Sequence, residues 1–223
     1  SSTHPRPSMS QESEFAKVEQ HLEGKSKVAT TVKSVSFDDS VKFLEQPTVA
    51  SCTGFLIAPD ILVTAGHCVE NMSEAEEYVW VFDYTNELNF YENINALYID
   101  PSNVYEVSSI IGARNTNDPY IDYSVLKLGR KSSRIPYRFR TSGSVINGRN
   151  VYTIGSPTGL PLKFADNAKV TNDSPTHWFK SNIDTFPGNS GGPLTDSLGR
   201  MIGINTAVAT LGSASGQSGS IGL

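Results

Sequence analysis

The sequence predicts an all-β fold, a barrel or a sandwich, laid out in two halves. Two sets of short runs rich in valine, isoleucine, threonine and aromatics alternate with turn residues, and no long segment keeps helical periodicity. Eighteen glycines and twelve prolines supply the turns that so many short strands need. A chain of 223 residues can bury a sizeable core, as one unit or as two small barrels sharing an interface.

Residues 1 to 24 are polar, and Phe15, Val18 and Leu22 within them recur at intervals that predict a short amphipathic helix. From Val28 the pattern turns strand-like, with Val32, Val35, Phe37 and Val41 set among threonines and serines. Runs at 51–57, 61–65, 78–82, 107–112 and 123–128 complete six strands in the first half. The second set is expected at 144–146, 150–155, 162–170, 178–182, 192–195 and 201–209. Asp100 and Asp118 each precede a proline and read as turn residues. The basic cluster Arg130, Lys131, Arg134, Arg138 and Arg140 reads as a solvated connection between the halves.

With 38% hydrophobic and 18% charged residues, wholesale disorder is excluded. A net charge of −5 gives no reason to expect nucleic acid or an anionic membrane as partner. No segment approaches the length of a transmembrane helix. The start, Ser1 to Pro7, lacks the apolar region of a signal peptide, so a signal is expected to have been removed or to precede this sequence. His4, His21 and His177 are scattered, as surface residues are, and no histidine–cysteine spacing suggests zinc. Neither a metal nor an organic cofactor is expected.

Cys52 and Cys68 are the only cysteines. They flank the apolar runs Gly54-Phe55-Leu56-Ile57 and Ile61-Leu62-Val63, separated by Ala58-Pro59-Asp60. A strand, a turn and a return strand bring the two thiols close, where a disulfide or a reduced pair would fit. A disulfide would fasten the loop that carries His67 and would imply an oxidising compartment.

Two strings carry chemistry: Thr64-Ala65-Gly66-His67-Cys68 and Gly188-Asn189-Ser190-Gly191-Gly192-Pro193. A serine hydroxyl is a poor nucleophile until an imidazole accepts its proton, so the two residues matter as a pair. The glycines around Ser190 permit tight turns that point consecutive backbone N–H groups at one spot, the geometry of an oxyanion hole. The histidine needs a buried carboxylate on its other nitrogen. Asp122 fits that role best, because it opens a run whose Val125, Leu126 and Leu128 should anchor it in a core.

Together these strings resemble the histidine and serine signatures of the chymotrypsin-like serine proteases, over roughly residues 49 to 206. The order His67, Asp122, Ser190 is that family's order, and the serine lacks the Gly-x-Ser-x-Gly elbow of the α/β-hydrolases. The resemblance implies two six-stranded antiparallel β-barrels with the active site in the cleft between them. Residues 1–24 would be an N-terminal extension or propeptide remnant, 25–135 the barrel bearing His67 and Asp122, and 136–223 the barrel bearing Ser190. It further implies oxyanion donors at Gly188 and Ser190, and a disulfide joining Cys52 to Cys68.

The digestive enzymes of this family carry an aspartate before the nucleophile; Asn189 stands there instead, so their charge-pair activation switch is not expected. The segments 52–60, 154–163 and 182–186 resemble the bacterial glutamyl-endopeptidase-like group. Residues 191–207, and 216–223 after them, resemble the HtrA/Deg proteases, in which the chain continues into more barrel and usually a PDZ domain. The cysteines favour the first branch.

Substrate choice is read from four positions. Asp184 lies where trypsin-like enzymes place the carboxylate that binds Arg or Lys, or it serves only to bond nearby backbone. Thr185 matches a glutamate-recognition residue, but Asn205 replaces the histidine that accompanies it, and Val208 would shorten the pocket.

The reading that follows is a secreted or periplasmic serine endopeptidase. It would act on proteins or peptides as a monomer, open to a protein inhibitor, with no nucleic-acid or membrane partner. One alternative is an HtrA/Deg-like quality-control protease domain of the envelope, which predicts a trimer. The other is a binding module that keeps the fold without catalysis, which predicts that an organophosphate leaves Ser190 unlabelled.

Overall fold

The computed structural model describes residues 14–19, 27–29, 43, 46–87, 90–91, 96–174, 176–207 and 218–222. The fold is mostly β. The first half holds β1 (Glu14–Glu19), β2 (Lys27–Ala29), β3 (Ala50–Ala58), β4 (Ile61–Thr64), β5 (Tyr78–Phe82), β6 (Phe90–Tyr91), β7 (Ala96–Tyr98), β8 (Val104–Tyr105), β9 (Val107–Asn117) and β10 (Tyr120–Leu128). The second half holds β11 (Asn150–Gly155), β12 (Lys163–Asn172), β13 (Trp178–Ser181), β14 (Pro193–Thr195), β15 (Met201–Ala207) and β16 (Ser218–Gly222). The α-helix among the described residues, α1 (Met72–Glu76), is capped by the Asn71 side chain, which accepts from the Glu74 N–H.

The second half closes as a six-stranded barrel in the order β11-β12-β13-β16-β15-β14. The first half departs from the expected six-stranded barrel. Its strands form a seven-stranded sheet, β8-β5-β1-β3-β4-β10-β9, and a separate three-stranded sheet, β2-β7-β6.

Three other expectations are corrected. The helix anticipated around Phe15 and Val18 is the strand β1, paired to β3 on one side and β5 on the other. So short a helix gains little stability by itself, whereas a strand between two others bonds along both edges. The stretch is therefore part of the first sheet, not a polar extension; Leu22 lies outside the described residues. Residues 144–146 form no strand, since the carbonyls of Gly143 and Ser144 accept from the Arg140 guanidinium and Ile146 is exposed. The sixth strand of the barrel is instead β16, bonded to β13 and β15.

The connection between the halves is exposed at Arg130, Lys131 and Arg138, as expected, and is also pinned. Arg130 sits 3.7 Å over the Tyr105 ring and donates to the carbonyls of Ser102 and Val104, while Arg134 pairs with Asp83. Asp100 and Asp118 take the expected turn places: Asp100 accepts from the Ser102 N–H at 2.8 Å, and Asp118 lies in the β9–β10 turn.

Each half has its own core. Leu56, Leu62, Trp80, Phe82, Leu126 and Leu128 fill the first, and Val151, Val170, Phe179, Leu194 and Ile202 the second. A further cluster joins them, with Phe55 and Val63 of the first half packed against Met201 and Ile204 of the second. Burial of this apolar seam fixes the two halves against each other and so fixes the groups displayed along it.

Candidate active site

His67 lies in a single 3-10 turn, Gly66–Cys68, directly after β4. Register brings its partner to it. Ser124 of β10 faces Thr64 of β4, so Asp122, two residues earlier in the antiparallel partner, comes level with the turn that follows β4. Along β10 the residues Asp122, Ser124, Leu126 and Leu128 share the buried face, as the alternation of a strand requires. The carboxylate is 2% exposed and both oxygens are used: Oδ1 accepts from the His67 backbone N–H at 2.9 Å, and Oδ2 lies 2.6 Å from His67 Nδ1.

Two bonds to one carboxylate fix both the position and the tautomer of the ring. With the proton on Nδ1, Nε2 keeps its lone pair and can accept a proton. The His67 side chain is 38% exposed, in contrast to the buried carboxylate that holds it.

Ser190 is half-buried at the start of the segment leading into β14. Its carbonyl accepts from the Thr53 N–H at 2.8 Å and lies 3.8 Å from the sulfur of Cys68, the residue after His67. The disulfide between Cys52 and Cys68 is formed, with a Cα–Cα distance of 6.2 Å, and ties the start of β3 to the histidine turn. The two strings that carry chemistry are thus brought to one place. Cys52, His67 and Cys68 form the cluster of metal-capable side chains among the described residues, but both sulfurs are committed to the disulfide.

The loop before Ser190 depends on its glycines. Gly188 and Gly191 have φ of +96° and +85°, a region L side chains avoid. A Cβ at Gly188 would come within 2.2 Å of the Ser156 carbonyl, and one at Gly191 within 2.1 Å of the Thr53 carbonyl.

Thr53 is the residue that sequence reasoning missed. Fully buried, it donates its hydroxyl to the Gly188 carbonyl at 2.8 Å, accepts from the Ser156 N–H at 3.0 Å, and holds Ser190 through its own backbone. The signal available was its place beside Cys52 in a strand rich in apolar residues, where a buried hydroxyl needs partners.

The four specificity positions separate. Thr185 and Asn205 are buried, and Thr185 Oγ1 and both polar atoms of the Asn205 side chain have no hydrogen-bond partner among the described residues. Asp184 is exposed and is not joined to them. Val208 lies outside the described residues. Next to the site, Tyr120 donates to Thr206 Oγ1 at 3.3 Å; burial, and then the nearby Asp122 charge, push its phenol up against the help of that bond.

Comparison with known proteins bears on the family and the fold. The model of the trypsin-like peptidase domain matches residues 52–204. The chain is 34% identical over 130 residues to the serine protease PepD of Mycobacterium tuberculosis, which covers 52% of this chain and 27% of that protein. It is 32% identical over 180 residues to a DegP-like periplasmic serine endoprotease of Chlamydia pneumoniae, covering 77% of this chain and 30% of that protein. The HtrA/Deg likeness therefore extends well beyond the carboxyl-terminal stretch, and the chain spans less than a third of the length of these relatives. Among solved structures, the serine endoprotease of Yersinia pestis superposes with a TM-score of 0.59 at 17% identity, over 94% of this chain and 58% of that one. By the match across residues 52–204, the chain belongs to the family of trypsin-like peptidase domains.

Proposed function

We propose that the chain is a serine endopeptidase domain that hydrolyses peptide bonds through an acyl-enzyme. The observation that carries this reading is the clamp of Asp122 on His67, which leaves Nε2 as the ring nitrogen free to take a proton, while the carbonyl of Ser190 lies against the neighbouring Cys68. Ser190 Oγ attacks the scissile carbonyl while His67 takes its proton; the same proton goes to the leaving amine as the tetrahedral intermediate collapses. Water then attacks the ester, again through His67, and Ser190 is regenerated. Asp122 holds the tautomer and stabilises the imidazolium, and the N–H groups of Gly188 and Ser190 receive the oxyanion.

The substrates are proteins or peptides, and the domain works outside the cytoplasm, as its disulfide favours. Buried and without a side-chain partner among the described residues, Thr185 and Asn205 are the groups a substrate side chain would satisfy, while Asp184 is exposed. A second reading, an HtrA/Deg-type envelope protease domain, draws on the likeness to the DegP-like relative across 77% of the chain. It predicts a trimer in solution.

The test is labelling with a fluorophosphonate alongside hydrolysis of a denatured protein. Wild type should label at Ser190 and cleave; Ser190→Ala should do neither. Absence of labelling in folded wild-type protein would favour a binding module and end the enzymatic reading.

A further inference from the structure

Tyr84, two residues beyond β5, is fully buried. Its hydroxyl lies 2.8 Å from the Pro47 carbonyl and 2.8 Å from the Gly159 carbonyl, and accepts from the Val49 N–H at 3.3 Å. Its own carbonyl accepts from the Leu162 N–H at 2.8 Å. One side chain and its peptide therefore hold a segment of the first half together with the turn 157–160 and the chain just after it in the second. Burial raises the phenol pKa far above the usual phenol range, against the small opposing effect of the Val49 N–H, so the hydroxyl keeps its proton at working pH.

The turn is tight. Thr158 has φ 53° and ψ 24°, Gly159 has φ +86°, and the Leu160 N–H closes onto the Pro157 carbonyl at 3.0 Å. A β-branched residue in the left-handed region is unfavourable and persists where surrounding contacts impose it. Gly159 is seated directly on the first half, since a Cβ there would come within 2.9 Å of the Ala50 carbonyl.

The shape of the turn aims the Thr158 N–H at the Pro187 carbonyl, 2.5 Å away. The Pro187–Gly188 peptide is planar and trans, so its carbonyl and N–H point in opposite directions. Fixing the carbonyl towards the turn therefore sends the Gly188 N–H the other way. Without that bond the peptide plane could rotate and withdraw the N–H.

We propose that Tyr84 is a positioning residue for the oxyanion site. It holds Gly159, and through Thr158 the Pro187–Gly188 peptide, in the orientation that presents the Gly188 N–H to the reacting carbonyl. This inference rests on the reading of Gly188 as an oxyanion donor.

The test compares wild type with Tyr84→Phe, which keeps the ring, and with Thr158→Pro, which removes the donor N–H and, because proline cannot take the φ of 53° held there, undoes the shape of this exposed turn as well. Each is assayed for kcat and KM on a peptide substrate, for affinity towards a peptide aldehyde, and for fluorophosphonate labelling of Ser190. Losing one oxyanion donor costs roughly 100- to 1,000-fold in kcat, so partial misorientation in Tyr84→Phe should lower kcat about tenfold with KM within about twofold. The aldehyde, whose adduct carries the oxyanion, should lose affinity in parallel with kcat. Thr158→Pro should lose more. Should Tyr84→Phe fail to fold, Thr158→Pro decides alone. Wild-type kcat in a folded variant, or a loss confined to KM, overturns the positioning role. Folded wild-type protein that neither labels nor cleaves overturns the enzymatic reading itself, and this inference with it.

Discussion

Replacing Thr53 by valine keeps the volume and branching of the side chain and deletes one hydroxyl. In the native protein that hydroxyl donates to the Gly188 carbonyl at 2.8 Å and accepts from the Ser156 N–H at 3.0 Å, with no solvent at the residue. Valine leaves a buried carbonyl and a buried N–H without partners. Each such orphan costs roughly 1–3 kcal/mol, so after partial relaxation a loss of about 3 kcal/mol is expected. For a domain of this size that corresponds to a melting temperature roughly 6–12 °C lower. The freed carbonyl belongs to Gly188, so kcat should fall as well, and Thr53→Ser should restore both stability and turnover. Urea unfolding and peptide hydrolysis, run on all three proteins, make the measurement. A Thr53→Val protein within about 0.5 kcal/mol of wild type and fully active would show that the hydroxyl anchors nothing, and that the Ser190 loop keeps its shape without it.

Opening the disulfide by Cys52→Ala with Cys68→Ala should cost about 3 kcal/mol, the value for a loop of this length, with a midpoint shift in denaturant as the readout. Asp196 is opposed by burial, but the Arg200 guanidinium and the backbone N–H groups of Arg200 and Leu198 outweigh it and hold its carboxyl below the usual range. Its contribution is therefore present above the unfolded-state value and lost as pH falls through the folded-state value; stability against pH should lose that acid dependence in Asp196→Asn. Catalysis through a neutral His67 predicts that log kcat/KM falls with a slope of about one on the acid limb, and an acid optimum would contradict it. If Asp184 selects cations, Asp184→Ser should abolish a preference for Arg or Lys in peptide-library cleavage; an unchanged profile removes it from recognition.

The sequence by itself displayed the pieces whose signals are local. Glycines bracket Ser190 because the loop needs positive φ at Gly188 and Gly191, and that need is written at those positions. The apolar run of Val125, Leu126 and Leu128 marked the strand that carries Asp122, although Val125 lies on its other face, and the paired apolar runs between Cys52 and Cys68 announced the hairpin that joins them. Tertiary structure decided what depends on partners distant in the chain. Glu14–Glu19 became a strand because β3 and β5 offered it two edges, against its helical spacing. The barrel closed on β16 rather than on 144–146 because closure is a matter of pairing geometry. Thr53 meets Gly188, and Tyr84 meets Gly159, only after the two halves pack through Phe55, Val63, Met201 and Ile204. A hydrogen bond between residues so far apart leaves no periodicity and no motif, since its geometry exists only once the apolar seam has excluded water and fixed both sides.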